Sequence, residues 1–172
     1  MAILARINSF RLEVFKTLRK KQPMRISTII DSRLISFVEA DTRDEAINAL
    51  IDLLTASGKL PDPEQFRKAI FHREELVSTG IGMGVAVPHA KMKELTNFFI
   101  AIGIQRKKGI DWNALDAVPV RMIFMIGGPD NQQSEYLQIL SQLTSVIKNA
   151  DLRKALLKAE GPEQVFRLFS SF

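Results

Sequence analysis

His72 and His89 are the only histidines in a chain of 172 residues that contains no cysteine. That inventory excludes disulfides, thiolate metal sites and histidine-rich metal centres. His89 lies near the end of "STGIGMGVAVPHA", Ser78 to Ala90, a run holding three glycines and one proline. Pro88 removes a backbone donor and fixes the local φ, which constrains how the imidazole enters. Gly80, Gly82 and Gly84 permit backbone conformations closed to other residues and let another molecule or chain segment come close. Successive N–H groups in such a turn can form an anion-binding concavity. Ser78 and Thr79 could add hydroxyls to it, although turn formation is the plainer reading of both. Arg73 stands seven residues before Gly80. A histidine beside an anion nest, with an arginine near, suits phosphoryl chemistry; a satisfied histidine at a strand end is the alternative. The glycines make neither a Walker loop, since no Gly-Lys-Ser/Thr follows, nor a dinucleotide fingerprint.

The surrounding elements must position these groups. "LISFV", Leu34 to Val38, reads as a short strand. Thr42 and Glu45 form a capping box that opens a helix with Ala46, Ile47, Leu50, Ile51, Leu53 and Leu54 on its apolar face, stopped at Gly58. Asp62 as N-cap, Pro63 at N1 and Gln65 at N3 start the next helix. Its stripe runs Phe66, Ala69, Ile70, Arg73, so Arg73 takes an apolar position and is expected to point inward toward a site. His72 precedes it and is expected about 100° away, solvated or packed. Phe98–Ile104 and Val120–Ile126 are apolar on both faces, as interior strands are. "GGPD" ends the second of these strands. The loop between them holds Asp111 and Trp112, expected to anchor it on the core. A helix with Tyr136, Leu140, Leu143 and Ile147 on one stripe follows, then a short helix capped by Asp151, then a last one after Gly161-Pro162 that ends near Phe169. Interleaved strands and helices predict an α/β layer fold.

The net charge of +5 is concentrated at one end. Residues 1–25 hold seven basic side chains against Glu13 alone, +6, so the remainder carries −1. Ile3, Ile7, Phe10, Val14 and Leu18 in that segment predict an amphipathic helix with a basic outer face. We divide the chain into this extension, residues 1–22, and a domain over residues 23–172. The helix would pack on its own domain or on a second subunit, giving self-association; an acidic partner, anionic lipid or nucleic acid are competing contacts. The near-neutral body argues against nucleic acid as the main partner. No apolar run is long enough to span a bilayer and no signal peptide is evident, and with the lack of cysteine this fits a reducing, cytoplasmic setting.

"HREELVSTGIGMGVAVPHAK" resembles the active-site segment of the IIA domains of the sugar phosphotransferase system, in the fructose/mannitol class that includes nitrogen-regulatory IIA proteins. "IDWNALDAVPVRMIFMIGGP" extends the likeness, which covers about Ile26 to Phe169. The resemblance implies a mixed β-sheet of about five strands with helices on both faces. It implies His89 as a phosphoacceptor, loaded by a phosphocarrier protein and discharged to a IIB partner, with Arg73 as charge partner. It also admits a regulatory protein whose phosphorylation state controls its grip on a target. The chain departs from the family at Met83, where asparagine is usual, at Ala90, where glycine is common, and at Tyr136, where many members carry a second histidine. A phenol can donate a hydrogen bond to a phosphoryl oxygen, so Tyr136 could substitute in part.

Overall fold

A computed structural model describes residues 25–170. The basic extension of residues 1–22 lies outside the described residues. After a 3-10 turn at Ile26–Thr28 come β1 (Ile30–Val38), α1 (Arg43–Ala56) and α2 (Pro63–Leu76). Three short strands follow, β2 (Gly80–Gly82), β3 (Val85–Ala86) and β4 (His89–Met92). The chain then forms β5 (Phe99–Gln105), β6 (Met122–Pro129), α3 (Gln133–Ile147), α4 (Ala150–Lys158) and α5 (Pro162–Phe169). The six strands form one mixed sheet in the order β1-β5-β6-β3-β2, with β4 also paired to β6. β1 runs parallel to β5, β5 antiparallel to β6, and both β3 and β4 parallel to β6.

The sheet separates two apolar cores. Ile100, Ile102, Phe124 and Ile126 turn toward Leu143, Leu156 and Phe169 of α3, α4 and α5. Their alternates, Ala101, Ile123 and Met125, turn toward Ile47 and Leu50 of α1 and Phe66 of α2. Every residue of β5 and of β6 is buried, which is why both read as continuous apolar runs. Hiding one such side chain from water contributes roughly 1.5–3 kcal/mol.

Local chemistry sets the helix ends. Thr42 Oγ1 accepts from Glu45 N at 3.2 Å, while Glu45 Oε2 reaches one residue further back than a standard capping box, to Asp41 N at 2.8 Å. Asp62 Oδ1 accepts from Gln65 N at 2.9 Å, as expected. At α4 the cap is Asn149, whose Oδ1 accepts from Asp151 N and Leu152 N, rather than Asp151. Asp151 instead places its charge in the first turn, at the positive end of the helix dipole. β1 also begins four residues earlier than "LISFV" suggests, because Ile30 already pairs with Ile100 of β5 and the polar stretch Asp31–Arg33 is carried along as an irregularity before pairing resumes at Ile35.

"GGP" does not end β6 but continues it to Pro129. Gly127 stands opposite Phe99, whose ring lies over the space that a side chain would take, and the Phe98 ring covers Gly128 in the same way. Aromatic rings shielding bare strand backbone keep the end of β6 in the sheet. Gly127→Ala is therefore expected to overpack this contact and destabilise the fold by about 1–3 kcal/mol, read as a lower urea midpoint with an unchanged denaturant slope.

Candidate functional site

The stretch from Ser78 to Ala90 is folded as a hairpin followed by a strand. Gly82, Met83 and Gly84 have φ of 87°, 57° and 71°, so three successive residues occupy the left-handed region at the β2–β3 turn. Asparagine tolerates that region better than methionine does, which gives a backbone reason for the asparagine usual at position 83. Asp116 holds the turn from outside: its carboxylate accepts from Met83 N at 2.7 Å and Val118 N at 3.1 Å. These two bonds, that from Met83 first, hold its carboxyl below the usual range.

β3 and β4 keep one register along β6, with Val85 opposite Met122, Ala86 opposite Ile123 and His89 opposite Ile126. They are one line of chain broken at Val87–Pro88, where proline has no N–H for the ladder. Pro88 still accepts from Ile126 N at 2.9 Å. The Val87 carbonyl is left to the imidazole, 2.9 Å from His89 Nδ1. On the other side of the ring, Arg73 Nε lies 3.1 Å from His89 Nε2. A guanidinium can only donate, so Nε2 is the unprotonated nitrogen and Nδ1 carries the hydrogen given to Val87. Burial lowers the pKa of His89, the Val87 bond opposes this, and the charges of Arg73 and Lys91 lower it further.

β4 has β6 as its strand neighbour, so His89 sits where the two helical layers meet at the sheet edge. Arg73 comes from the end of α2, held by a bond from its Nη1 to Val77 O at 2.8 Å. Tyr136 comes from α3, its ring centroid 5.7 Å from that of His89 and stacked on Phe98. The Tyr136 hydroxyl is buried and has no hydrogen-bond partner among the described residues. Burial pushes its pKa up to about 12, so the phenol stays neutral. Lys91 reaches Gln133 Oε1 and lies 5.1 Å from the centre of the Tyr136 ring. Beside His89 lies an open depression of about 390 Å³, lined also by Ala69, His72, Arg73, Ala90, Lys91 and Tyr136. A water molecule occupies roughly 30 Å³ of liquid, so the space takes a phosphoryl group with room left over.

The structure thus brings Arg73, His89 and Tyr136 together. Ser78, Thr79 and the glycines form the scaffold behind them. Ser78 Oγ donates to Trp112 O at 2.5 Å and accepts from Gly80 N at 3.1 Å. Thr79 gives its N–H (2.9 Å) and its hydroxyl (2.5 Å) to the buried carboxylate of Glu74. Trp112 Nε1 closes the network on Thr79 Oγ1 at 3.2 Å, anchoring its loop on the core as expected. Glu74 is committed to the turn that follows α2, and no salt bridge joins it to Arg73 among the described residues. Two lining residues escaped the sequence reading. Lys91 is two residues from His89 on a strand, hence on the same face, a signal the period-two rule carries. His72, three residues after Ala69, is exposed as expected and also borders the depression beside Arg73.

A family model described as "Phosphoenolpyruvate-dependent sugar phosphotransferase system, EIIA 2" matches residues 28–172. The chain is 36% identical over 141 residues to the PTS system fructose-specific EIIA component of Haloferax volcanii, covering 81% of this chain and 91% of that one. It is 32% identical over 148 residues to the PTS system fructose-specific EIIABC component of Bacillus subtilis, covering 86% of this chain and 23% of that relative. Among solved structures, nitrogen regulatory protein IIA-Ntr of Neisseria meningitidis superposes with a TM-score of 0.77 at 27% identity, covering 84% of this chain and 99% of that one.

Two outcomes follow from this geometry. The ring protons of His89 should titrate with a midpoint below 6.5, and Arg73→Met should raise that midpoint by removing a nearby positive charge; an unmoved midpoint in NMR titration would refute the electrostatic part. Thr79→Val should strip the buried Glu74 carboxylate of its hydroxyl partner and cost about 1–3 kcal/mol in chemical denaturation.

Proposed function

The chain belongs to the phosphoenolpyruvate-dependent sugar phosphotransferase system EIIA 2 family, and we propose that it carries a phosphoryl group on Nε2 of His89. The observation that supports this reading is the two-sided hold on the ring: Nδ1–H fixed on Val87 O, and the Nε2 lone pair turned to Arg73. The donor is a phosphohistidine of a phosphocarrier protein, and the acceptor is a IIB domain or a regulated target. The setting is the cytoplasm; among the described residues no helix is long and apolar enough to cross a membrane.

In the transfer step Arg73 releases Nε2, whose lone pair attacks the phosphorus. The phosphorus–nitrogen bond of the donor breaks, and its electron pair stays on the donor nitrogen. A donor ring protonated on its other nitrogen leaves as neutral imidazole. Phospho-His89 keeps its Nδ1 hydrogen on Val87, so no proton has to cross between the rings. The group brings roughly two negative charges, which the Arg73 fork meets with charge-assisted hydrogen bonds. The buried Tyr136 hydroxyl adds a neutral donor. Ser78, Thr79, Gly80, Gly82 and Gly84 serve this site by shaping the backbone that delivers His89.

A second reading is regulatory, with phosphorylation controlling the grip on a target and little onward transfer. The likeness to a nitrogen regulatory protein and the tyrosine at position 136 favour it. Self-association through residues 1–22 belongs to the same proposal.

Incubating the protein with phosphoenolpyruvate, enzyme I and the phosphocarrier protein should add one acid-labile phosphoryl group by intact mass, absent from His89→Ala. Arg73→Met should slow loading by about ten-fold or more. An unlabelled wild-type protein beside a labelled control IIA would sink the assignment. Loaded protein that fails to discharge to any IIB domain would select the regulatory reading.

A further inference from the structure

We infer that His72 is the second histidine of this phosphoryl site, supplied from α2 where many relatives supply one from α3, and that its ring N–H meets the phosphoryl oxygens on His89. This rests on the reading of His89 as phosphoacceptor.

The chain has two histidines, and both border the same depression. On α2 the residues Ala69, His72 and Arg73 lie at i, i+3 and i+4, so one helix face presents all three. Ala69 has only a methyl group there, which leaves the wall above it to the imidazole and the guanidinium. His72 is exposed and has no hydrogen-bond or ion-pair partner among the described residues, so its ring nitrogens are unspent. The other donors are partly engaged. Arg73 already bonds Val77 O and His89, and Lys91 is drawn onto Gln133 and the Tyr136 face. Tyr136 itself is pinned by its stack on Phe98, and its hydroxyl is buried. A phosphoryl group presents three acceptor oxygens to this arrangement. The Tyr136 hydroxyl is buried and Arg73 half-buried, and His72 is the exposed, unspent donor. An imidazole there places a short, rigid N–H at the exposed border of the depression, the role a second histidine fills from the opposite helix.

The test compares loading rates of the full chain from phosphoenolpyruvate, enzyme I and the phosphocarrier protein. His72→Gln is expected to slow loading about ten-fold while the final label remains one phosphoryl group. Tyr136→His should restore most of that rate in the His72→Gln background and add little to the wild type, because either histidine fills the one role. The 31P resonance of phospho-His89 should also shift in His72→Gln, a readout that holds if the Tyr136 variant does not fold. Wild-type loading by His72→Gln, or an equal gain from Tyr136→His in both backgrounds, overturns the inference and leaves His89 in place. No label on the wild-type protein overturns the His89 reading itself, and this inference with it.

Discussion

The hydrogen bond between His89 Nδ1 and the Val87 carbonyl decides which ring nitrogen faces the depression, and much of the nearby backbone serves to make it. A carbonyl inside a regular ladder would be spent on a neighbouring strand. Val87 faces β2, where Thr79 gives its N–H to Glu74 and so leaves the Val87 carbonyl free, while the common register of β3 and β4 keeps His89 aligned on β6. Upstream, Val87 N is tied to Thr79 O at 3.0 Å, and Thr79 is tied to Glu74. The arginine and the histidine that meet across 3.1 Å are therefore joined through a short run of buried bonds as well as directly. Glu74 is the pivot of that run, adjacent in sequence to Arg73 and bonded to the turn that leads into β2.

The sheet supplies the rigidity this arrangement needs. β6 is paired on one side by β5 and on the other by β3 and then β4, so the strand holding His89 in register is itself fully buried. Phe98 serves both levels: its ring covers Gly128 and stacks on Tyr136. The packing that completes the sheet thus also fixes one wall of the site. Preorganisation of this kind limits the motion left to the catalytic step.

Much of this was legible in the residues. The α/β class, the caps at Thr42 and Asp62, and the inward turn of Arg73 all follow from local chemistry and helical period. The misses have physical causes. Strand ends were misjudged at Asp31–Arg33 and at "GGP" because pairing and aromatic cover, both tertiary, outweigh polar and glycine residues that ordinarily end a strand. Asn149 took the cap from Asp151, two residues on, because either side chain suits that role. His72 is solvated as its angle from Arg73 implies, and its place at the border of the depression was not foreseen because that angle leaves out the width of the face shared with Ala69. The Glu74–Thr79 bonds span five residues but Trp112 joins them from 33 residues on, and nothing in one sequence pairs it with them.

β4 is an edge strand, and an edge is also a template on which a second copy of a chain can add. The helix α2 packs against β4 and brings Arg73 to His89. Lys91 sets a charge along the edge. The neighbours that surround the imidazole are of the kinds that blunt edge-to-edge aggregation. Placement of the imidazole and resistance to unwanted strand addition are thus met by the same few neighbours.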